Sequence, residues 1–264
     1  MKKKLCRITA LLLAAVLSLG GCGQPGAGKK RTDSTQQTEE TKNKKEDQSK
    51  SDKKGPEIDG LTYESTMDLT YATEFDVYDY KDGYKLLDVH EDRQYLVVPE
   101  GKEAPEGLSE DIVVLQQPLD HIYMAATAIM SLLDAVDAID QVKFSGLNAS
   151  GWYVEDAKKA MESGDMIYAG KYSEPDYETL VNGECDLAVE STMILHTPKV
   201  QEMIEDLDIP VFVDYSSYES HPLGRTEWIK LYGAMLNKED AADAFFEKQV
   251  ENVDALKDFK NTEK

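Results

Sequence analysis

The chain has 264 residues, with 29 Lys+Arg against 51 Asp+Glu and a formal net charge of −22. Residues 1–57 carry a net +6 and the remainder a net −28, which excludes nucleic acid as a partner of the folded part. Three cysteines in this length exclude a disulfide-stapled scaffold.

The chain opens with MKKKLCRITALLLAAVLSLGGC. Three lysines and an arginine precede an apolar run over 8–19 that is too short to span a bilayer comfortably. Its flanks are those of an export signal over 1–21. Leu19-Gly20-Gly21-Cys22 resembles a bacterial lipobox: small residues admit the peptidase, and the Cys22 thiol carries the lipid. Two acyl chains, at about 0.8 kcal/mol per buried methylene, hold a protein stably on a membrane. From Gly23 to Glu57 the sequence has no aromatic and no branched aliphatic residue. Such a segment buries too little apolar surface to offset its ordering entropy, so 22–57 is predicted to be a disordered tether.

The folded part begins with a β-rich section over 58–107. In FDVYDYKDGYKLLDV two alternating runs flank Asp82-Gly83, the signature of a β-hairpin, and RQYLVVPEG reads as a further strand. From 108 to 222 strands and helices alternate. DIVVLQQPL (111–119) is predicted to be a buried strand, followed by helix-forming residues over 124–139. QVKFSG is a strand, YVEDAKKAMESG a helix closed by Gly164, and MIYAG a strand. PDYETLVNG is a short helix, CDLAVE a strand, TPKVQEMIEDLD a helix and IPVFVDY a strand. This alternation predicts an α/β fold with a parallel, helix-covered sheet. Cys185, just before DLAV, is read as a buried structural thiol, since Cys6 leaves with the signal and Cys22 carries the lipid.

In open α/β sheets, ligands sit beyond the carboxyl ends of the strands. The loops there contain QPLDHIYM, LNASGWY, ESTMI and DYSSYESHP. Tyr123, Met124, Trp152, Tyr215 and Tyr218 are candidates for an aromatic-lined wall, with Ser191 at the end of DLAVE. Arg225 is open to two roles, pairing with Glu219 or meeting an anionic ligand bidentately. Glu219 and His221 sit two apart, a spacing open to metal ligation or to helix-entry capping. The four histidines are scattered, and G-x-S-x-G, phosphate-loop, H-E-x-x-H and C-x-x-C patterns are missing. The reading is therefore a binding protein and not an enzyme, with no cofactor or bound metal called for.

The stretch SYESHPLGRTEWIKLYGAMLNKE reads as a junction. Ser220 is its candidate N-cap, Pro222 fits the first turn, and Trp228, Leu231, Tyr232 and Met235 fall on one apolar face. Asn237 is a helix stop, and Glu239 and Asp240 open a second helix whose Ala242, Phe245, Phe246, Val250, Val253 and Leu256 are expected to pack along the lobe.

The lipobox, the polar tether, the alternating lobe and ESHPLGRTEWIKLYGAMLNKEDAADAFFEKQ together resemble the substrate-binding lipoproteins of ABC importers. The nearest class serves ferric siderophores, haem and vitamin B12. The resemblance spans roughly 108–260. It implies the N-terminal lobe of a two-lobe periplasmic-binding-protein fold, with 223–264 as a helical inter-lobe connector and the second lobe absent. Weak capture by this chain alone then follows. It also implies an extracytoplasmic, lipid-anchored receptor that delivers an iron chelate, haem or cobalamin-type ligand to a membrane permease. EPDYETLVNGECDLAV matches the family's permease-docking pattern, which implies a docking role for Glu178, with Glu174 close by. The alternative is a non-transport surface lipoprotein, an adhesin or scaffold reusing one such lobe.

Overall fold

Alternating Tyr, Val and Leu positions build the front of the molecule. The computed structural model describes residues 54–90 and 92–257. The signal, Cys22 and nearly all of the tether lie outside these residues. The first five strands are β1 (Tyr63–Thr66), β2 (Phe75–Tyr80), β3 (Lys85–Val89), β4 (Gln94–Val98) and β5 (Ile112–Gln116). They form one sheet in chain order, antiparallel except for the parallel pair β4–β5. The expected hairpin is β2–β3, and Asp82 (φ 65°) and Gly83 (φ 86°) take the left-handed conformations that its tight turn requires.

Side-chain alternation gives this front sheet two apolar faces. Phe75, Val77, Leu87, Val89, Tyr95 and Val97 join the main core. Tyr78, Tyr80, Leu86, Leu96 and Val98 face outward, where Ile58, Leu61 and Leu108 cover them. Tyr80 Oη donates to the Pro56 carbonyl at 2.6 Å, so the chain is already held short of Glu57, where the tether was expected to end.

The strand expected to open the parallel sheet belongs elsewhere. β5 pairs with β4 as the edge of the front sheet, and its pattern is only half-buried, as suits an edge. The parallel sheet starts instead at β6 (Ile122–Met124), at the end of the segment read as a loop, and meets the expected helix only at Met124. The helix there, α1 (Met130–Ala135), is correspondingly short. The order then runs β7 (Val142–Ser145), α2 (Glu155–Ser163), β8 (Ile167–Tyr168) and the small hairpin β9 (Gly170–Lys171) with β10 (Glu174–Pro175). It ends with α3 (Tyr177–Asn182), β11 (Leu187–Ser191), α4 (Pro198–Glu205), β12 (Val211–Asp214), α5 (Pro222–Leu236) and α6 (Glu239–Lys257). The second sheet is wholly parallel, in the order β12-β11-β6-β7-β8. The protein is thus a mixed α/β fold with a helix-covered parallel sheet and a β-rich front.

α5 joins the two sheets. It is apolar nearly all round, the mark of a buried helix rather than a surface one. Trp228 meets Phe75 of the front sheet edge-on, with ring centroids 5.0 Å apart, and Tyr232 meets Phe212 of the parallel sheet at 5.9 Å. Its N-cap is His221, not Ser220: the His221 Nδ1 accepts from the Leu223 N–H at 3.1 Å. Asn237 ends the helix in the left-handed conformation (φ 57°), as expected. Gln117 secures this end by donating to the Met235 carbonyl at 2.9 Å and accepting from Asn237 at 3.1 Å. In α6 only the first half packs as expected: Ala242 and Phe246 are buried, while Val253 and Leu256 are 37% and 67% exposed.

Tyr95 closes the seam between the sheets. Its Oη donates to Asp92 Oδ2 at 2.8 Å and accepts from the Val213 N–H at 3.4 Å, with the Val211 carbonyl 3.2 Å away, so it sits against backbone groups on the outer edge of β12. The Cys185 thiol is buried, and burial pushes it up to about 12.

Candidate functional site

All five parallel strands run the same way, so their carboxyl ends share one edge. The loops after β6 and β7 approach closely there. A Cβ on Gly146 would lie 2.9 Å from Ala125 Cα, so only glycine fits this crossing. Trp152 plugs the end of β7, its indole Nε1 donating to the buried Ser145 Oγ at 2.9 Å. The backbone then turns Tyr153 outward, 97% exposed. Tyr168 at the end of β8 is 44% exposed, Met193 beyond β11 is 47% and Tyr218 beyond β12 is 60%. Four partly or fully exposed large side chains on one edge point to a partner or ligand.

Two groups fix the loop that carries Tyr218. Asp214, at the end of β12, accepts from the Ser216 N–H and Oγ and from Tyr232 Oη, at 3.2, 2.6 and 2.8 Å. Burial raises its pKa, opposed by these three hydrogen bonds. Arg225 donates from Nη2 to the Ser217 carbonyl at 2.9 Å and from Nε to the Glu219 carbonyl at 3.4 Å. Tyr215 lies under Tyr218, with ring centroids 5.4 Å apart.

The sequence-derived candidates therefore fall into layers. Tyr218 stands at the surface, Ser191 is half-exposed beside it in the strand order, and Arg225 braces the loop between them and α5. Trp152 and Tyr215 are buried just beneath. Tyr123 and Met124 are fully buried within β6, with Tyr123 Oη donating to the Gly170 carbonyl at 3.0 Å. They pack in the core rather than line a wall, because the last three residues of the segment read as a loop are the strand β6. Glu178 is exposed on the first turn of α3, whose N-cap Asp176 accepts from the Thr179 N–H. Glu174 is exposed and pairs with Lys171 at 3.0 Å. Tyr153, Tyr168 and Met193 were not among the candidates.

The junction motif has a second role. Glu227, fully buried on α5, accepts from the N–H groups of Thr70, Tyr71 and Ala72 at 2.7–3.1 Å. Glu219 accepts from the N–H groups of Thr73 and Glu74, the Thr73 hydroxyl and Trp228 Nε1. Two carboxylates thus gather five consecutive amides of the β1–β2 loop, a charge-assisted clamp between the front sheet and α5. Glu219 engages these groups through its carboxylate and meets Arg225 only through its carbonyl. His221 caps the helix. Of the alternatives left open by their spacing, these hydrogen bonds are those of capping and clamping.

Two further carboxyl groups stand out. Glu190 of β11 is fully buried, neither oxygen has a hydrogen-bond partner, and desolvation pushes it up to about 9. At the opposite, amino end of the parallel strands, Asp120, His121 and Asp186 bring ligand atoms within 4.8 Å of one another. These are the residues that could hold a cation. Asp186 Oδ2 is already engaged by the N–H groups of Asp120 and His121, and His121 Nδ1 by Asp120. Among the described residues, no helix is long and apolar enough to cross a membrane.

No family model matches the chain. Over 159 residues it is 28% identical to an uncharacterized lipoprotein of Methanocaldococcus jannaschii, covering 56% of this chain and 37% of that protein. Among solved structures it is similar to the periplasmic haem-binding protein HutB of Vibrio cholerae, with TM-score 0.43, 19% identity and coverage of 54% and 51% of the two chains. A possible iron-binding periplasmic solute-binding protein of Staphylococcus epidermidis gives TM-score 0.44 and 17% identity, with 55% and 53% covered. The chain thus spans little more than a third of its curated relative and about half of each of these structures.

Proposed function

We propose that the protein is a solute-binding lipoprotein of an ABC importer. It captures an iron chelate, haem or cobalamin-type ligand on the carboxyl edge of its parallel sheet. It is held at the outer face of the membrane through lipid on Cys22 and presents the ligand to a permease, with Glu178 and Glu174 as the docking carboxylates. The carrying observation is the set of exposed Tyr153, Tyr168, Met193 and Tyr218 at that edge, above the braced layer of Trp152, Tyr215 and Asp214. Supporting it are the lipobox and the lipoprotein name of the relative. Open α/β sheets bind ligands at this edge. The rigid loops reduce the ordering cost of binding.

Trp152 lies one residue from the exposed edge and reports on it. Titrating the full chain with hemin, cyanocobalamin and a ferric tris-catecholate is expected to quench its fluorescence saturably for at least one of them. A flat signal for all three, with no binding by calorimetry, would remove the proposal.

A further inference from the structure

Glu190 lies one residue short of the end of β11 and is fully buried, with no hydrogen-bond partner for either carboxyl oxygen. An ionised carboxylate there would lose its hydration with nothing in exchange, so the group is held neutral. Register puts Glu190 on the same face of the sheet as Ala188 and Tyr123. Among the described residues, the elements packed on this face bring no compensating charge to it. β6 brings the Tyr123 phenol and α3 the half-buried Tyr177 phenol, each raised first by burial and next by the Glu190 charge. The Cys185 thiol and the Tyr168 phenol act on Tyr123 in turn. α3 and α4 bury only Leu180 and Ile204. Asp214, in register with Ser191, turns to the other face and meets Tyr232 of α5. Burial is accordingly the one cause of the raised pKa of Glu190.

The cover over this face is lightly held. Between β8 and β11 the chain makes the β9–β10 hairpin and α3. The hairpin is fastened to the sheet by Tyr123 Oη, which donates to the Gly170 carbonyl at 3.0 Å, and by the Ala169 N–H, which donates to the Ser145 carbonyl at 3.0 Å. α3 has six residues, buries one of them and leaves Val181 exposed, so little apolar contact opposes its lifting. An ionised Glu190 regains hydration when this cover moves. The Tyr123 hydroxyl is then drawn from the neutral Gly170 carbonyl towards the carboxylate, because hydrogen bonds to an ion are about twice as strong.

We propose that the β9–β10 hairpin and α3 form a pH-operated flap, closed over a neutral Glu190 and lifted when that carboxyl ionises. The proton leaves to solvent, and Tyr123 is the positioning residue that latches the closed form. A folded pKa of about 9 keeps the flap closed at neutral pH and lifts it as pH rises towards that value. Glu174 and Glu178 ride on the flap, so their presentation to a permease changes with it, a consequence that rests on the receptor reading above. Trypsin tests the flap on the full chain, because the exposed Lys171 lies in the hairpin and the exposed Lys159 of α2 is an internal control. Cleavage after Lys171 relative to Lys159 is expected to rise at least about tenfold from about pH 7 to about pH 9, following the ionised fraction of Glu190. Glu190→Gln is expected to abolish the rise, and so is Glu190→Leu, with folding of both checked by circular dichroism. Tyr123→Phe is expected to raise the ratio about fivefold already at about pH 7, the weight of one hydrogen bond. A flat ratio in the wild type, or the same rise in the two Glu190 variants, overturns the flap, and an unchanged ratio in Tyr123→Phe overturns its latch. No ligand or permease takes part, so any of these results leaves the receptor reading standing.

Discussion

Glu190 is a carboxyl group on β11, an interior strand of the parallel sheet, with no hydrogen-bond partner for either oxygen. The phenols of Tyr123 and Tyr177 face it, each raised by burial first and by the Glu190 charge next. Its folded pKa of about 9 lies above the ordinary 4.5, so the folded state holds a proton that the unfolded chain has released between these values. The contribution is fully present below about pH 4.5 and is lost as pH rises towards 9. The slope is at most about 1.4 kcal/mol per pH unit. Glu190→Gln is expected to flatten the pH dependence of urea-unfolding free energy and to be more stable than the wild type at pH 8. Parallel slopes for the two proteins would contradict this. At the same scale, Glu227→Ala strips three amides of their acceptor. A loss of on the order of 3 kcal/mol is expected in the same assay, with faster proteolysis near residue 70. No change in stability would contradict the clamp.

At the scale of elements, α5 is the piece on which both sheets depend. Trp228→Ala opens a cavity between Phe75 and the helix and is expected to cost about 3–5 kcal/mol, read as a lowered thermal midpoint. A loss below about 1 kcal/mol would mean that α5 does not bridge the sheets. Elements whose signals are local were legible in the sequence. Asp82-Gly83 marked its hairpin, Gly164 closed α2, Asp176 capped α3 and Asn237 stopped α5. Elements decided by distant pairing were not. Ile122–Met124 is a strand because β11 and β7 flank it, against the helix-forming residues that follow. Ile112–Gln116 went to the front sheet because β4 offered a free edge there. The Glu219 and Glu227 clamp joins residues about 150 positions apart, a relation that no local pattern carries. Of the site, Tyr218 and its loop were legible from strand order. The exposure of Tyr153 and Tyr168 was not, because Tyr153 follows a 3-10 turn beyond β7 and Tyr168 lies on a two-residue edge strand, where no local pattern says which side is covered.

At the scale of the whole molecule, a β-rich sheet and a parallel sheet share one core through α5, and the parallel sheet ends in an edge of projecting phenols and a thioether. The buried layer beneath holds that edge in shape, and the receptor reading depends on this edge more than on any single residue. Backbone hydrogen exchange tests it most directly, measured on the full chain with and without a saturating ligand from the macrocycle and catecholate panel. Protection is expected to rise in the loops 146–154, 192–197 and 215–221 and to stay unchanged in the front sheet. Protection confined to the front sheet, or to the Asp120–His121 end of the strands, would contradict the account.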